Sequence, residues 1–191
     1  PSGGWRFSIN KLPELLASHR IVFGKDETTI PCLKRYLKET ETEVCSSVFY
    51  KDGRGATSRL TSLLGGKYFD FPKDEEIIQR FISLVCPSTE EALILDFFSG
   101  SGTTAHAVMQ LNAEDLKAGK EGKRKYICVQ LAETTPEDSE ARKAGYNTVP
   151  EIAKERIRRA GKKILEENSE VTDTLDTGFR VFKLDSSNYE E

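Results

Sequence analysis

At 191 residues, with 37% hydrophobic and 31% charged side chains, the chain is long enough for one domain with a proper core, and its composition excludes fibre and disorder. The formal charge of −3 gives no global nucleic-acid signature, so any DNA contact has to come from a local patch. No apolar run approaches the roughly 20 residues of a bilayer span, and Pro1-Ser2-Gly3-Gly4-Trp5 lacks the basic-then-apolar pattern of a signal peptide, so a cytosolic protein with no membrane partner is expected.

In chain order, residues 1–70 read as irregular. Trp5 to Phe7 leads into Ser8, a cap for a short helix holding Leu12, Leu15 and Leu16, and Ile21-Val22-Phe23-Gly24 reads as a strand running into a turn. The stretch from Lys51 to Lys67 is rich in glycine and hydroxyl residues and sets Lys51, Arg54, Arg59 and Lys67 against Asp52 alone, which reads as a flexible basic loop. Arg54 and Arg59 are its candidates for DNA phosphates, with a solvated surface loop as the equal alternative. From Asp74 the pattern becomes helical, with Asp74, Glu75 and Glu76 in a first turn that favours anions and Ile77, Ile78, Phe81, Ile82 and Val85 on one apolar face. Cys86-Pro87-Ser88 ends it. Cys32, Cys45, Cys86 and Cys128 form no Cys-x-x-Cys pair and read as reduced structural thiols, with no metal site.

The run Leu93-Ile94-Leu95-Asp96 fits a buried parallel strand and drops into a glycine-hydroxyl loop, Phe97-Phe98-Ser99-Gly100-Ser101-Gly102, where the glycines permit a tight turn and Thr103 or Thr104 can cap the next helix. That helix runs to about Leu111, burying Ala105, Val108 and Met109, and a lysine-rich linker follows to Arg124. Tyr126 to Leu131 is a second buried strand, so strand, helix and strand recur in the order of a right-handed parallel unit. Thr148 and Glu151 make a capping box for a helix carrying Ile152, Ile157, Ala160 and Ile164. Its other face, Lys154, Arg156, Arg158, Arg159, Lys162 and Lys163, reads as solvated surface, with a phosphate-backbone contact as the minority reading. Thr177 to Asp185 alternates as a further edge strand.

Three ligand classes compete for the loop. A nucleoside-triphosphate loop needs a lysine and a hydroxyl after its last glycine, whereas Thr103-Thr104 follow here. Gly100-x-Gly102-x-x-Ala105 partly matches the dinucleotide fingerprint, whose diphosphate rests on a helix N-terminus. S-adenosylmethionine fits better, because its methionine end carries an ammonium and a carboxylate: Asp96 supplies an acid for the first and the backbone of Gly100 to Thr103 supplies amides for the second. Asp96 also reads more plainly as a strand-end residue bonding the neighbouring loop. For the ribose, Gln130 stands at the end of the second strand and Glu133 close after it; an amide oxygen accepts a ribose hydroxyl without the charge assistance an acid gives, and either residue reads equally as a solvated loop position. His106, inside the loop helix, reads as a partly exposed helix residue rather than a catalytic base.

These residues resemble a known family, the modification subunits of type III restriction-modification systems, which are adenine-specific DNA methyltransferases. The resemblance rests on Ile21 to Asp26, Phe69 to Lys73, Asp96 to Thr104, Val129-Gln130-Leu131, Lys154-Glu155-Arg156-Ile157 and Gly178 to Asp185, and so spans nearly the whole chain. It implies an α/β, Rossmann-like S-adenosylmethionine-dependent methyltransferase fold, present in part as a parallel sheet flanked by helices. Within it, residues 1–70 form an accessory or target-recognition-like region with the basic loop, 71–170 the cofactor-binding region and 171–191 a terminal strand and tail. The cofactor pocket is implied to take in Phe71, Pro72 and Lys73, Asp96 through Thr104 (Phe97, Phe98, Ser99, Gly100, Ser101, Gly102 and Thr103 between them), and Gln130 or Glu133. The implied partners are DNA, a restriction subunit and a second modification subunit.

One family feature is missing. No two prolines are adjacent in the 191 residues, so the family's Asp-Pro-Pro-Tyr segment is not among them. The exocyclic amine of adenine is a poor nucleophile, and that segment supplies the acceptors that localise its lone pair and an aromatic face for the flipped base. The expectation is therefore the cofactor-holding, C-terminal part of a longer enzyme, able to hold the donor but not to transfer its methyl group. The alternative is a non-catalytic DNA-binding or subunit-assembly module on the same fold.

Overall fold

A computed structural model describes residues 8–39, 44–88 and 91–185 of the chain, so the expectation for Trp5 to Phe7 lies outside the described residues. Two compact units are present, Pro1–Tyr50 and Lys51–Glu191, dividing the chain earlier than the boundary at residue 70 read from sequence.

In the first unit a 3-10 turn, Ile9–Lys11, leads into helix α1, Leu12–Ala17, with Pro13 in its first turn, where a missing N–H costs nothing. Ser8 stands at the cap position but makes no side-chain capping bond. Strands β1, Ile21–Val22, and β2, Cys32–Leu33, pair antiparallel with Ile21 opposite Leu33. Arg20 beside β1 pairs with Glu39 and stacks over the Tyr36 ring at 5.2 Å.

The second unit is built on a parallel pair of strands, β3, Leu93–Asp96, and β4, Lys125–Cys128, in register Leu93 with Lys125 through Asp96 with Cys128. Helix α4, Thr103–Lys117, joins them, the connection that parallel strands require. Packed against α4 are α3, Glu75–Val85, and α6, Val149–Glu167, while α2, Arg54–Leu64, packs against α6. A short helix, α5, Glu140–Lys143, precedes α6. The largest core cluster joins Ala105, Met109 and Ala113 of α4 to Ile157, Ala160 and Ile164 of α6. On the α3 side of α4, Ile82 meets Ala107, Val108 and Leu111, and α2 buries Leu60 and Leu64 with Ala141 and Ile152. Tyr126, Cys128 and Ile94 turn toward these clusters. The alternate residues Leu93, Leu95 and Ile127 stand 61%, 49% and 46% exposed on the opposite sheet face.

Four readings of the sequence need correction. The flexible basic loop is helix α2: Ala56, Leu60 and Leu64 recur every four residues and form a buried stripe that outweighs the glycine and hydroxyl content, and Gly65 ends the helix in left-handed backbone at φ +76°. Its packing on α6 also places residues after Lys51 in the second unit. Helix α4 continues past Leu111 to Lys117, because Asn112 and Asp115 are both buried against Arg124, Asn112 bonding its backbone on both sides (2.8 and 3.1 Å) and Asp115 pairing with its guanidinium. The Thr177–Asp185 segment is not a strand; it has no ladder partner among the described residues, and Phe179 instead packs on the α4–α6 core, with Arg158 5.8 Å over its ring. Arg156 is not part of a solvated face but is 1% exposed inside the second unit.

Candidate cofactor site

Asp96 ends β3, and both its oxygens are turned onto the loop that follows. Oδ1 accepts the Phe98 N–H at 3.1 Å and Oδ2 accepts the Thr104 hydroxyl at 2.5 Å, so one carboxylate ties the two ends of the loop together. The continuation of β4 holds it from the side. Val129 N–H donates to the Asp96 carbonyl (2.8 Å), Ser99 N–H to the Val129 carbonyl (3.1 Å), and Gly100 N–H to Gln130 Oε1 (2.8 Å).

Gly100 and Gly102 both lie in left-handed backbone, at φ +49° and +77°. A Cβ on Gly102 would stand 3.3 to 3.4 Å from Ile157 and the Ala153 carbonyl, so the loop presses directly on α6. Gly102 occupies the cap position of α4 and offers no side-chain capping bond, which corrects the expectation that Thr103 or Thr104 caps the helix: the Thr104 hydroxyl serves Asp96, and the Thr103 hydroxyl accepts from Arg156 at 2.7 Å. The N–H groups of Ser101, Thr103 and Thr104 consequently have no acceptor among the described residues. Three unpaired donors at the positive end of a long helix form a place for an anionic group.

Behind the loop, Ser101 and Thr103 are buried and their hydroxyls converge on Arg156 Nη1, at 2.9 and 2.7 Å. Arg156 Nη2 lies 3.5 Å from Glu75, which also receives Arg59 Nε at 2.5 Å. Burial raises the Glu75 carboxyl, but the Arg59 guanidinium and a backbone hydrogen bond are among the causes that lower it, and the net result holds Glu75 below its ordinary range. Burial pushes the Arg156 guanidinium down to about 10 against the pull of Glu75. Cys128, opposite Asp96 in the sheet, is pushed up to about 11 by burial and by the Asp96 charge, and is a neutral thiol.

The expected site residues separate into groups. Asp96, Ser99, Gly100, Ser101, Gly102, Thr103, Thr104 and Gln130 are brought together by the bonds above. Lys73 joins them through its carbonyl, which accepts the Thr103 hydroxyl at 3.5 Å, next to a buried Pro72. Phe97 and Phe98 are 62% and 87% exposed on the loop. Phe71 is 90% exposed at φ +52°, and a hollow of about 330 Å³ gathers it with Arg54, Ser58 and Lys67. Glu133 is exposed and engages through its carbonyl, which accepts Val149 N–H, rather than through its carboxylate.

Of the two arginines read as DNA contacts, Arg54 is exposed at the start of α2 beside Asp52 (3.4 Å). Arg59 is turned onto Asp74 (2.8 Å) and Glu75. Lys51 also finds Asp74 and Glu76, acids that the fold brings from outside the stretch, while Lys67 finds Asp70 three residues on. Two residues were not singled out for the site beforehand. Phe69 lies 3.4 Å from where a Gly100 Cβ would stand, and Arg156 carries the loop hydroxyls. For Arg156 a signal existed: it follows Ile152 and precedes Ala160 by four residues each, which is the phase of the buried stripe.

The chain is similar to the Mod subunit of the type III restriction-modification enzyme EcoP15I of Escherichia coli, at 38% identity over 96% of this chain and 26% of that protein. It is similar to the StyLTI Mod subunit of Salmonella typhimurium at 33% identity, covering 94% and 26% respectively. It also resembles the type II methyltransferase M.KpnI of Klebsiella pneumoniae, at 38% identity over 58% of this chain and 24% of that enzyme. The chain thus spans about a quarter of the length of these curated relatives. A family model described as DNA methylase matches residues 16–143, a stretch that contains β3, the glycine loop, α4 and β4, and on that match the chain belongs to the DNA methylase family.

Proposed function

We propose that this chain is the donor-holding part of a DNA adenine-N6 methyltransferase of the type III restriction-modification kind, and that the donor is S-adenosylmethionine. The observation that carries the reading is the loop between Asp96 and Thr104, with unpaired N–H groups at Ser101, Thr103 and Thr104 beside a carboxylate. The amides suit the donor's carboxylate. Asp96 retains lone pairs beyond the two it uses, which suit the ammonium. Gln130 has its Oε1 engaged by Gly100, so it meets a ribose hydroxyl with its NH₂ group, as donor rather than acceptor. Lys73 borders the loop through its carbonyl, Phe71 two residues before it is a further candidate for the donor, and Glu133 is the second ribose candidate. Bound there, S-adenosylmethionine supplies an electrophilic methyl group on a sulfonium.

The acceptor side of the reaction needs groups outside these 191 residues, since no Asp-Pro-Pro-Tyr is among them. A longer protein carrying that segment transfers the methyl group to DNA, with a restriction subunit and a second modification subunit as partners, in the cytoplasm. No helix among the described residues is long and apolar enough to cross a membrane. Arg54 remains a candidate phosphate contact; Arg59, turned onto Asp74 and Glu75, has less charge to offer.

Titration calorimetry tests this. The folded chain is expected to bind S-adenosylmethionine with one donor per chain, and Asp96→Ala to lose that binding. No heat at millimolar donor from a chain shown to be folded, or binding of a nicotinamide dinucleotide instead, contradicts it.

A further inference from the structure

We propose that Arg156 is the positioning residue of the glycine loop: from behind the loop it fixes the hydroxyls of Ser101 and Thr103 and so aims the unpaired amides of Ser101, Thr103 and Thr104 at the donor. The inference rests on the reading that this loop holds S-adenosylmethionine.

Arg156 sits on α6, outside the stretch matched by the family model, and its side chain is 2% exposed. A buried guanidinium is costly unless it is paired and hydrogen-bonded, and an apolar side chain of similar size fills such a space at lower cost. An apolar side chain cannot hold two hydroxyls that flank a left-handed glycine. Arg156 Nη1 does this, with Ser101 at 2.9 Å and Thr103 at 2.7 Å on either side of Gly102. Gly102 itself rests on Ala153 and Ile157, so three successive loop residues meet one turn of α6. Because its lone pair takes the Arg156 proton, the Thr103 hydroxyl is left to donate its own to the Lys73 carbonyl, which carries the brace to the 71–73 segment.

Glu75 balances the charge at 3.5 Å and is itself oriented by Arg59. The front of the loop is fixed by Asp96, Val129 and Gln130, the back by Arg156. Neither set of bonds uses the Ser101, Thr103 or Thr104 amides. Binding donors held in place before the ligand arrives lowers the ordering cost of binding.

The test compares the unsubstituted chain with Arg156→Lys, which keeps the charge and loses the planar fork, and with Arg156→Met combined with Glu75→Gln, which leaves no unpaired buried acid. Two quantities are read: the donor dissociation constant, and ¹⁵N relaxation order parameters of Ser101 to Thr104 without ligand. In the unsubstituted chain these amides are expected at the rigid value of about 0.85, falling below about 0.6 in both variants while Met109 in the core of α4 stays rigid. Donor affinity is expected to weaken about tenfold or more in both. Unchanged order parameters and unchanged affinity in folded variants overturn the proposal, as does a fall in order spread evenly over α4. Should the unsubstituted chain fail to bind S-adenosylmethionine, the donor reading fails by itself, and the order parameters still decide whether Arg156 sets the loop.

Discussion

His106 stands on α4 close behind the loop, lining a hollow of about 320 Å³ with Glu75 and Arg156, and its buried Nδ1 has no partner among the described residues. Burial is the larger cause that pushes its imidazole down to about 4, and the Arg156 charge adds to it, with Lys163 and Arg59 in the same sense and Glu75 opposing. Because the unfolded chain titrates this histidine near 6.5, it binds more protons than the folded chain between about pH 6.5 and pH 4. Stability is therefore full above about pH 6.5 and falls on acidification, by up to about 3 kcal/mol from this group. Urea midpoints at about pH 7.5 and about pH 5 are expected to differ in the unsubstituted chain, and His106→Gln to flatten that difference; an equal slope in both assigns it elsewhere. His106 is partly exposed on the loop helix, as its sequence position reads, but the enclosure of its Nδ1 was not legible, since a single imidazole carries no mark of what packs on it. Asp96 was legible because the acid follows an apolar strand at the lip of a glycine turn. Arg156 was hidden in a row of cations, although its helical phase matched the apolar stripe.

At the scale of elements, Asp74 does two jobs for α3. Its Oδ1 caps the helix by accepting Glu76 N–H at 3.0 Å and Ile77 N–H at 3.3 Å, and the same carboxylate meets Lys51 at 3.0 Å and Arg59 at 2.8 Å. Burial raises Asp74, but Lys51, Arg59 and the Ile77 N–H lower it, and the net result is a carboxyl below its ordinary range. Asp74→Ala is expected to cost about 1–3 kcal/mol, read as a lower thermal midpoint, from the lost cap and the unpaired cations. Asp74→Asn keeps the cap and recovers part of that loss; no recovery means the ion pairs carry all of it. The elements read best from sequence were those with a stop or start signal beside a period. β3 ends in Asp96, α6 begins at a capping box in which Glu151 accepts Thr148 N–H at 2.9 Å, and α3 begins at Asp74. Helix α2 has the local composition of a loop, and its three buried apolar residues, Ala56, Leu60 and Leu64, acquire meaning only once the helix packs. The tail alternates as a strand does, but a strand also needs a neighbour, and no period within a segment supplies one.

For the molecule as a whole, the described sheet has two strands in its second unit and one uncovered apolar face, Leu93, Leu95 and Ile127, with Phe97 and Leu131 also exposed nearby in sequence. Exposed apolar patches of this kind mark interaction surfaces or association liabilities. Sedimentation of the chain is expected to show concentration-dependent self-association that Leu95→Glu with Ile127→Lys reduces; a monomer at every concentration contradicts this. The parallel unit around the loop was legible in sequence as strand, helix, strand. The division of the chain at Tyr50 was not, because it follows from which helices α2 touches rather than from any change in composition.

The central claim is that the loop from Asp96 to Thr104 holds S-adenosylmethionine through unpaired amides. A ¹H–¹⁵N titration with the donor reads those amides one by one. The account predicts saturable shifts that are largest at Ser101, Thr103 and Thr104 and at the Gln130 side-chain NH₂. Saturation with shifts confined to other residues, or no saturable shift in the folded chain, contradicts it.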